Sequence, residues 1–279
     1  AQCLVGSEMC IRDRYSKLSK DILLDLAQPT HMGFPSLLMN SGEIKNTGIE
    51  FTISADPFTG KGFSWHTDVT LSHNKGTFNS IPTANHRQQQ AGSFQNQLFQ
   101  MIEGEKLGTF WGYTFGGIWQ EDEVNAPFVD ANGQTNGKTN GEVYKVVAGN
   151  SKYVDTNKDG VLNDADQGII GCGQPTFNWG WNNSFNYKNF DFSFFMVGFH
   201  GFDIYNATHQ MGFNTVSGQN MAAVTPMRDF LNRWTPTNTN TDVPGFVQGG
   251  TENKVFSSRF VENGSFILSL IHISEPTRH

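Results

Sequence analysis

Residues 48–74 read GIEFTISADPFTGKGFSWHTDVTLSHN, and the alternation in this stretch decides the fold class. Ile49, Phe51, Ile53 and Ala55 alternate with Glu50, Thr52 and Ser54. Further on, Trp65, Thr67, Val69 and Leu71 alternate with His66, Asp68, Thr70 and Ser72. Successive side chains of a strand point to opposite faces, so each run has one apolar and one polar face. DPFTGKG (56–62) separates them, and a short Pro/Gly-rich break between two such runs makes a hairpin.

A second hairpin is predicted over 176–201. Phe177, Trp179, Trp181, Phe185 and Tyr187 share a face with Asn183, opposite Asn178, Gly180, Asn182, Ser184 and Asn186. After YKNF (187–190), Phe190, Phe192, Phe194 and Met196 alternate with Asp191, Ser193, Phe195 and Val197. An earlier strand carries Ile22, Leu24 and Leu26, and a weaker one begins near Val255.

A soluble sandwich alternates too, so the connections must choose. The breaks at 56–62 and 187–190 are short, whereas 76–175 and 202–255 are long. Short turns at one end and long loops at the other are the pattern of an outer-membrane barrel, and compact soluble domains seldom carry such long connections. Aromatic residues at the strand ends suit an interfacial girdle. If 63–75 rises and 176–188 descends, the region between crosses an even number of times. Only GTFWGYTFGGIWQ (108–120) reads as strand there, so it belongs to an external excursion. In 202–255, Thr225-Pro226 followed by Met227, Phe230, Leu231 and Trp234 predicts a short amphipathic helix on the barrel mouth, with Trp234 in its core. The fold class is therefore all-β: an antiparallel transmembrane β-barrel fragment, a partial open sheet with long extracellular loops.

Composition agrees. Charged residues make up 16%, aromatics 13%, with 30 Gly and 24 Phe, where a soluble domain carries about a quarter charged residues. A net charge of −7 argues against a nucleic-acid partner. No run of about 18 apolar residues occurs, so no transmembrane helix is predicted, which leaves barrel strands open. No nucleophile elbow, phosphate loop or dinucleotide fingerprint appears, and the eight His lack zinc-ligand spacing, so no enzyme is predicted.

The two ends differ in character from the rest. CLVGSEMCIRDR (3–14) and LSLIHISEPTRH (268–279) follow neither the alternation nor the composition between them, and both resemble translated sequencing-adapter bases. On that reading 1–14 and 268–279 are non-native tails lying outside the sheet, 15–267 is a partial receptor barrel, and only Cys172 is native. The alternative is a pair of ordinary flexible tails.

One motif carries chemistry. DTNKDGVLNDAD (155–166) fits a calcium loop, with oxygen donors at Asp155, Asn157 and Asp159, a backbone carbonyl at Val161, Gly160 at the tight turn and Asp166 at the last position. Asp166 stands where Glu is usual, and its shorter arm predicts weaker binding. The alternative is an ordinary Asp/Asn/Gly-rich turn.

Several stretches resemble the SusC/RagA group of TonB-dependent outer-membrane transporters of Bacteroidota. In order, they are NSGEIKNTGIEFTISA (40–55), EGEKLGTFWGYTFGGIWQ (103–120), the acidic loop 155–166, FDFSFFMVGFHGFDIYN (190–206), RWTPTNTNTDVP (233–244) and SSRFVENGSF (257–266). The resemblance implies a piece of a large plugged barrel in the cell outer membrane. It would be energised by TonB through an N-terminal part missing from this chain, and covered by a SusD-like surface lipoprotein. The expected function is import of an oligosaccharide or peptide, with outer-membrane lipid around the barrel and calcium as a structural cofactor. The rival is a secreted β-rich glycan-binding or adhesive module with a structural calcium site.

Overall fold

A bulge, two tight turns and a set of cross-strand ring contacts organise the chain. In the computed structural model, which describes residues 9–27, 33, 36–60, 62–81, 86–88, 98–213, 228–245 and 255–274, six long strands form one antiparallel sheet. They run in chain order: β1 (Met9–Ser19), β2 (Glu43–Thr59), β3 (Phe63–Ser80), β4 (Phe177–Tyr187), β5 (Phe190–His200) and β6 (Phe266–Ser274). The two predicted hairpins are β2–β3 and β4–β5. Between Ala55↔Thr67 and Phe58↔Trp65 the register shifts. The extra residue falls at Asp56-Pro57, where Pro lacks the N–H that a regular ladder needs. Gly60 N–H then closes the turn on Phe63 O (2.8 Å). The β4–β5 turn leaves only Lys188 and Asn189 outside the ladder, with Tyr187 opposite Phe190.

The register sorts the side chains. Phe51 pairs with Leu71 and Ile53 with Val69; Val69 pairs with Trp181 and Trp65 with Phe185; Phe185 pairs with Phe192 and Tyr187 with Phe190. Directly opposed residues share a face, so Ile49, Phe51, Ile53, Trp65, Val69, Phe190, Phe192 and Phe194 lie on one side, as the alternation predicts. Rings there form a continuous row across three strands. Trp65 stacks on Phe185 at 5.7 Å, Phe185 on Phe192 at 6.0 Å, and Trp181 meets Phe194 edge-on at 5.4 Å. Among the described residues no protein layer covers the row, since Ile49 and Phe190 remain 50% and 60% exposed.

The ends depart from the expectation. Residues 9–14 pair with β2, from Met9↔Ser54 to Arg14↔Ile49, and residues 268–274 pair with β5, from Leu268↔Val197 to Ser274↔Asp191. They are in the sheet, not outside it. The reason is that β2 and β5 would otherwise present open rows of N–H and C=O groups, and a strand ladder accepts any extended backbone. Their side chains remain out of step: Arg12 and Arg14 fall opposite Phe51 and Ile49, on the aromatic side. Residues 1–8 and 275–279 lie outside the described residues.

Both tight turns lie at one end of the sheet, and the connections 20–42, 81–176 and 201–265 all leave from the other. As the parity argument requires, 108–120 does not span. Thr109–Tyr113 pairs with Gln167–Cys172, and Phe115–Ile118 with Ser151–Tyr153, in small separate sheets. The two longest connections share their cores. Leu98 and Phe110 from one pack with Phe256 from the other, supported by Ile170, Tyr205 and Val261. The region near Val255 is not a strand; it touches Tyr113 through a single bridge at Ser257, and the strand begins at Val261. The described part of the predicted helix is a 3-10 helix, Arg228–Asn232, with Leu231 78% exposed and Phe230 against Val243 and Phe260. Thr225, Pro226 and Met227 lie outside the described residues.

Gly198 shows how tightly the ring row fits. A Cβ there would lie 2.3 Å from Trp179 Nε1, and that nitrogen donates to His200 Nε2 at 3.1 Å. Gly198→Val is therefore expected to expel the indole and destabilise the sheet by about 1–3 kcal/mol. In a Trp179→Ala background the same change should cost clearly less. Equal urea-midpoint losses in the two backgrounds would show that the indole does not set this limit.

Candidate functional site

Two clusters of polar groups stand out, one in the connection 81–176 and one on the polar face of the sheet. The first is the loop 155–166. Asp155 follows the strand Ser151–Tyr153, and Asp166 closes a 3-10 turn, Asp164–Asp166, that leads into Gln167–Cys172. Backbone N–H groups hold the side chains in sequence. Gly160 donates to Asp155 Oδ2 (2.9 Å), Asp159 to Asn157 Oδ1 (3.0 Å) and Val161 to Asp159 Oδ1 (2.7 Å). Thr156 and Asn163 donate to the two oxygens of Asp166 (2.9 and 3.0 Å), which is 3% exposed. Gly160 takes φ +80°, and a Cβ there would lie 2.7 Å from Val143 Cγ1. Only glycine satisfies both demands.

Tyr144 reaches the loop from α2 (Asn140–Tyr144), the second of two short helices after α1 (Glu121–Asn125). Its hydroxyl donates to Asp155 Oδ2 at 2.8 Å. Burial pushes its phenol pKa well above the ordinary value, helped by that bond and by the charges of Asp155, Asp166 and Asp159. These carboxylates thus surround one hydroxyl. Asp155 Oδ1 is buried and meets no hydrogen-bond donor. Among the described residues, no three His, Cys, Asp or Glu side chains converge on a point that could hold a metal ion. The sequence-predicted residues are neighbours in one hydrogen-bonded loop, each turned partly toward backbone N–H groups. Leu162 lines an adjoining cavity of about 430 Å³ with Tyr113, Trp119, Tyr144 and Tyr153.

The second cluster was not singled out by sequence reasoning. His66 Nδ1 lies 2.6 Å from Asp56 Oδ1, and Nε2 lies 3.1 Å from Asp68 Oδ2. Ser54 Oγ donates to Asp68 Oδ1 (2.5 Å) and Asn182 Nδ2 to Asp68 Oδ2 (3.3 Å). Both His–Asp bonds form together only when each ring nitrogen carries a proton. Alternation places His66, Asp68 and Asn182 on the polar face. Asp56 joins them only because of the bulge, and the Pro57 after it was the available signal.

A third feature joins the two long connections. Trp234 Nε1 donates to Gln120 Oε1 at 2.9 Å, beside an open cleft lined by Glu121, Asp122, Asn125 and Asn240. In α1, burial disfavours the charge on Glu123. The Lys152 ammonium at 2.7 Å and the Gln120 N–H outweigh it and hold the carboxyl below its usual range.

No family model matches the chain. It is 32% identical to TonB-dependent receptor P3 of Formosa agariphila over 259 residues, 91% of this chain and 24% of that protein. It is 30% identical to TonB-dependent receptor P26 of the same organism over 257 residues. The fold matches the structure of the RagAB peptide transporter with a TM-score of 0.65, at 18% identity, over 93% of this chain and 26% of that one. The chain belongs to the SusC/RagA-type TonB-dependent receptors. TonB-dependent receptor SusC of Bacteroides thetaiotaomicron is 24% identical over 65% of the chain. The chain spans about a quarter of the length of the curated receptors P3 and P26.

The buried phenol gives a pH prediction. Its value in the folded protein exceeds that of an exposed tyrosine, about 10. The stability gained by keeping it neutral is intact below that pH and is lost as pH rises further. Tyr144→Phe is therefore expected to flatten the fall in urea midpoint between about pH 9.5 and 11. An unchanged slope would place the phenol in solvent.

Proposed function

We propose that the chain is part of the wall and extracellular surface of an outer-membrane nutrient importer, with no enzymatic role. One observation carries this reading: a single sheet with an uncovered aromatic face, an opposite face that is polar and hydrogen-bonded across β2, β3 and β4, and all long connections at one end. In hydrocarbon every backbone polar group must be satisfied internally, which a closed barrel of such strands achieves. Lipid would lie against Ile49, Phe51, Phe192 and Phe194, and the His66–Asp68 face would line the lumen. A secreted sandwich would enclose the aromatic side chains, whereas Ile49 and Phe190 stay largely exposed. Among the described residues no helix is long and apolar enough to cross a membrane, which says nothing of strands.

The relatives are TonB-dependent receptors, which supports energisation by TonB, and the fold neighbour RagAB is a peptide transporter, which supports peptide as cargo. On this reading the co-folded long connections face outward, where a SusD-like lipoprotein would cover them. The rest of the receptor would supply the plug, the contact with TonB and the remaining strands.

The test places an arginine on either face of β5 in the intact receptor. Phe194→Arg faces lipid and is expected to cost about 2–4 kcal/mol near mid-membrane, lowering the yield of folded receptor in the outer-membrane fraction. Ser193→Arg faces the lumen and should assemble normally. Equal assembly of the two variants, or loss only with Ser193→Arg, contradicts the reading.

A further inference from the structure

The aromatic face of the sheet changes character toward the end from which the long connections leave. Cross-strand pairing there makes three successive rows. Arg14, Ile49 and His73 stand side by side, then Ser16, Thr47 and Lys75, then Leu18, Lys45, Thr77 and Lys106. Directly opposed residues share a face, and the period of two puts these rows on the side of Phe51 and Ile53. None of them contains Asp or Glu. Lys45, His73 and Lys75 are exposed, and among the described residues no carboxylate forms an ion pair with Lys45, Lys75 or Lys106. The opposite face at this end is closed by the core of Leu24, Phe78, Ile81 and Met101. A recess of about 300 Å³ opens among the rows, lined by Arg14, Ser16, Lys45, Thr47, Ile49 and His73. Arg14 belongs to the segment whose composition departs from the rest, and the three lysines supply positive charge without it.

Height along the strand gives this patch its meaning. On β2 the apolar side chains run from Ile49 to Phe58, roughly 30 Å along the strand and roughly 23 Å in height at a tilt of about 40°. The lipid-facing band of a barrel wall is about 25 Å tall. Lys75, opposite Thr47, and then Lys45 follow just past Ile49 on the same face. They therefore stand where hydrocarbon gives way to headgroups.

We propose that this patch binds the phosphate-bearing headgroup of an outer-leaflet lipid through Lys45, Lys75 and Lys106, with the Ser16 hydroxyl as a further donor. The proposal rests on the reading of the sheet as a barrel wall. Lysine stems lie along apolar surface while their ammonium groups stay at the polar boundary. An ammonium is a compact point charge that suits phosphate. A cationic peptide gains nothing from such a surface, and a free anion would not use the apolar rows beside it. A lipid uses both, with its phosphate at the lysines and its chains along Ile49 and Phe51.

The experiment uses the intact receptor in nanodiscs of dioleoyl phosphatidylcholine, with dioleoyl phosphatidic acid as the minor component. A photoreactive benzoylphenylalanine replaces Ile49 beside the patch or Ile53 below it, and mass spectrometry identifies the captured lipid. Adducts at position 49 are expected to carry phosphatidic acid at about fivefold or more its share of the bilayer, the gain from one lysine near an anionic headgroup. Adducts at position 53 should match the bilayer. Lys45→Gln with Lys75→Gln should bring position 49 to the bilayer share. Lys17→Gln removes the same charge from the opposite face, beside Asn46, and should leave the enrichment intact. Lipid adducts without enrichment at 49, equal enrichment at 53, or equal loss with Lys17→Gln overturns this proposal alone. So does displacement by inorganic phosphate but not by sodium chloride of equal ionic strength, which would mark a free-anion site. Absence of lipid adducts at both positions contradicts the barrel-wall reading and this proposal with it. If the double variant does not assemble, Lys45→Gln alone takes its place, and undiminished enrichment in that variant also overturns the proposal.

Discussion

The pairing of β3 with β4 joins segments more than a hundred residues apart, with no turn to set its register. Side chains set it instead. Trp65 Nε1 donates to Asn183 Oδ1 at 3.1 Å, Trp181 Nε1 to Thr67 Oγ1 at 3.0 Å, and Asn186 Nδ2 to Ser64 Oγ at 3.1 Å. Trp65 also lies parallel to Phe185, with 14° between the ring planes. A slip of one residue would move every ring of β4 to the polar side and Asn182 away from Asp68. The two hairpins become one sheet through this seam. The seam also brings the ends of β3 and β4 together, from which the long connection 81–176 can fold back and share a core with 201–265.

The same register gives the sheet two unlike faces. On one face a polar network converges on Asp68, and on the other a row of rings crosses β3, β4 and β5. Trp65 and Trp181 have polar ring nitrogens on the apolar side, and each is satisfied by a cross-strand acceptor. That is what a face against hydrocarbon requires. Arg12 and Arg14 also fall on this face, opposite Phe51 and Ile49, and they belong to the segment whose composition departs from the rest.

The regular parts of this fold were legible because they follow period two. Ile49 to Leu71 and Phe177 to Met196 encode strand, face and hairpin together, and turn lengths assign the connections to one end. Edge pairing was not legible: the ladder along β1 and β6 is made by backbone atoms, and side chains such as Arg12 have no veto over it. The His66–Asp56 contact was hidden for a different reason. A bulge shifts the chain by one residue, and period-two reading loses its phase there. Of the helix expected from Thr225 to Trp234, the described part is a 3-10 helix at Arg228–Asn232. Its apolar positions are divided between Phe230, which packs on Val243 and Phe260, and Leu231, which does not pack. In the loop 155–166 the spacing of donors was readable, and the N–H bonds that hold each one follow from the same spacing. Tyr144 was not readable as their neighbour, because α2 and the loop meet only through tertiary packing.

The central claim is that the sheet separates lipid from a polar lumen. Spin labels placed singly along 190–197 of the intact receptor, in bilayers and with Cys3, Cys10 and Cys172 replaced, measure this directly. Accessibility to oxygen, which concentrates in lipid, is expected to peak at 190, 192, 194 and 196. Accessibility to a water-soluble nickel chelate is expected to peak at 191, 193, 195 and 197, giving two out-of-phase profiles of period two. Profiles that rise and fall together, or that are exchanged between the two sets, would contradict the account.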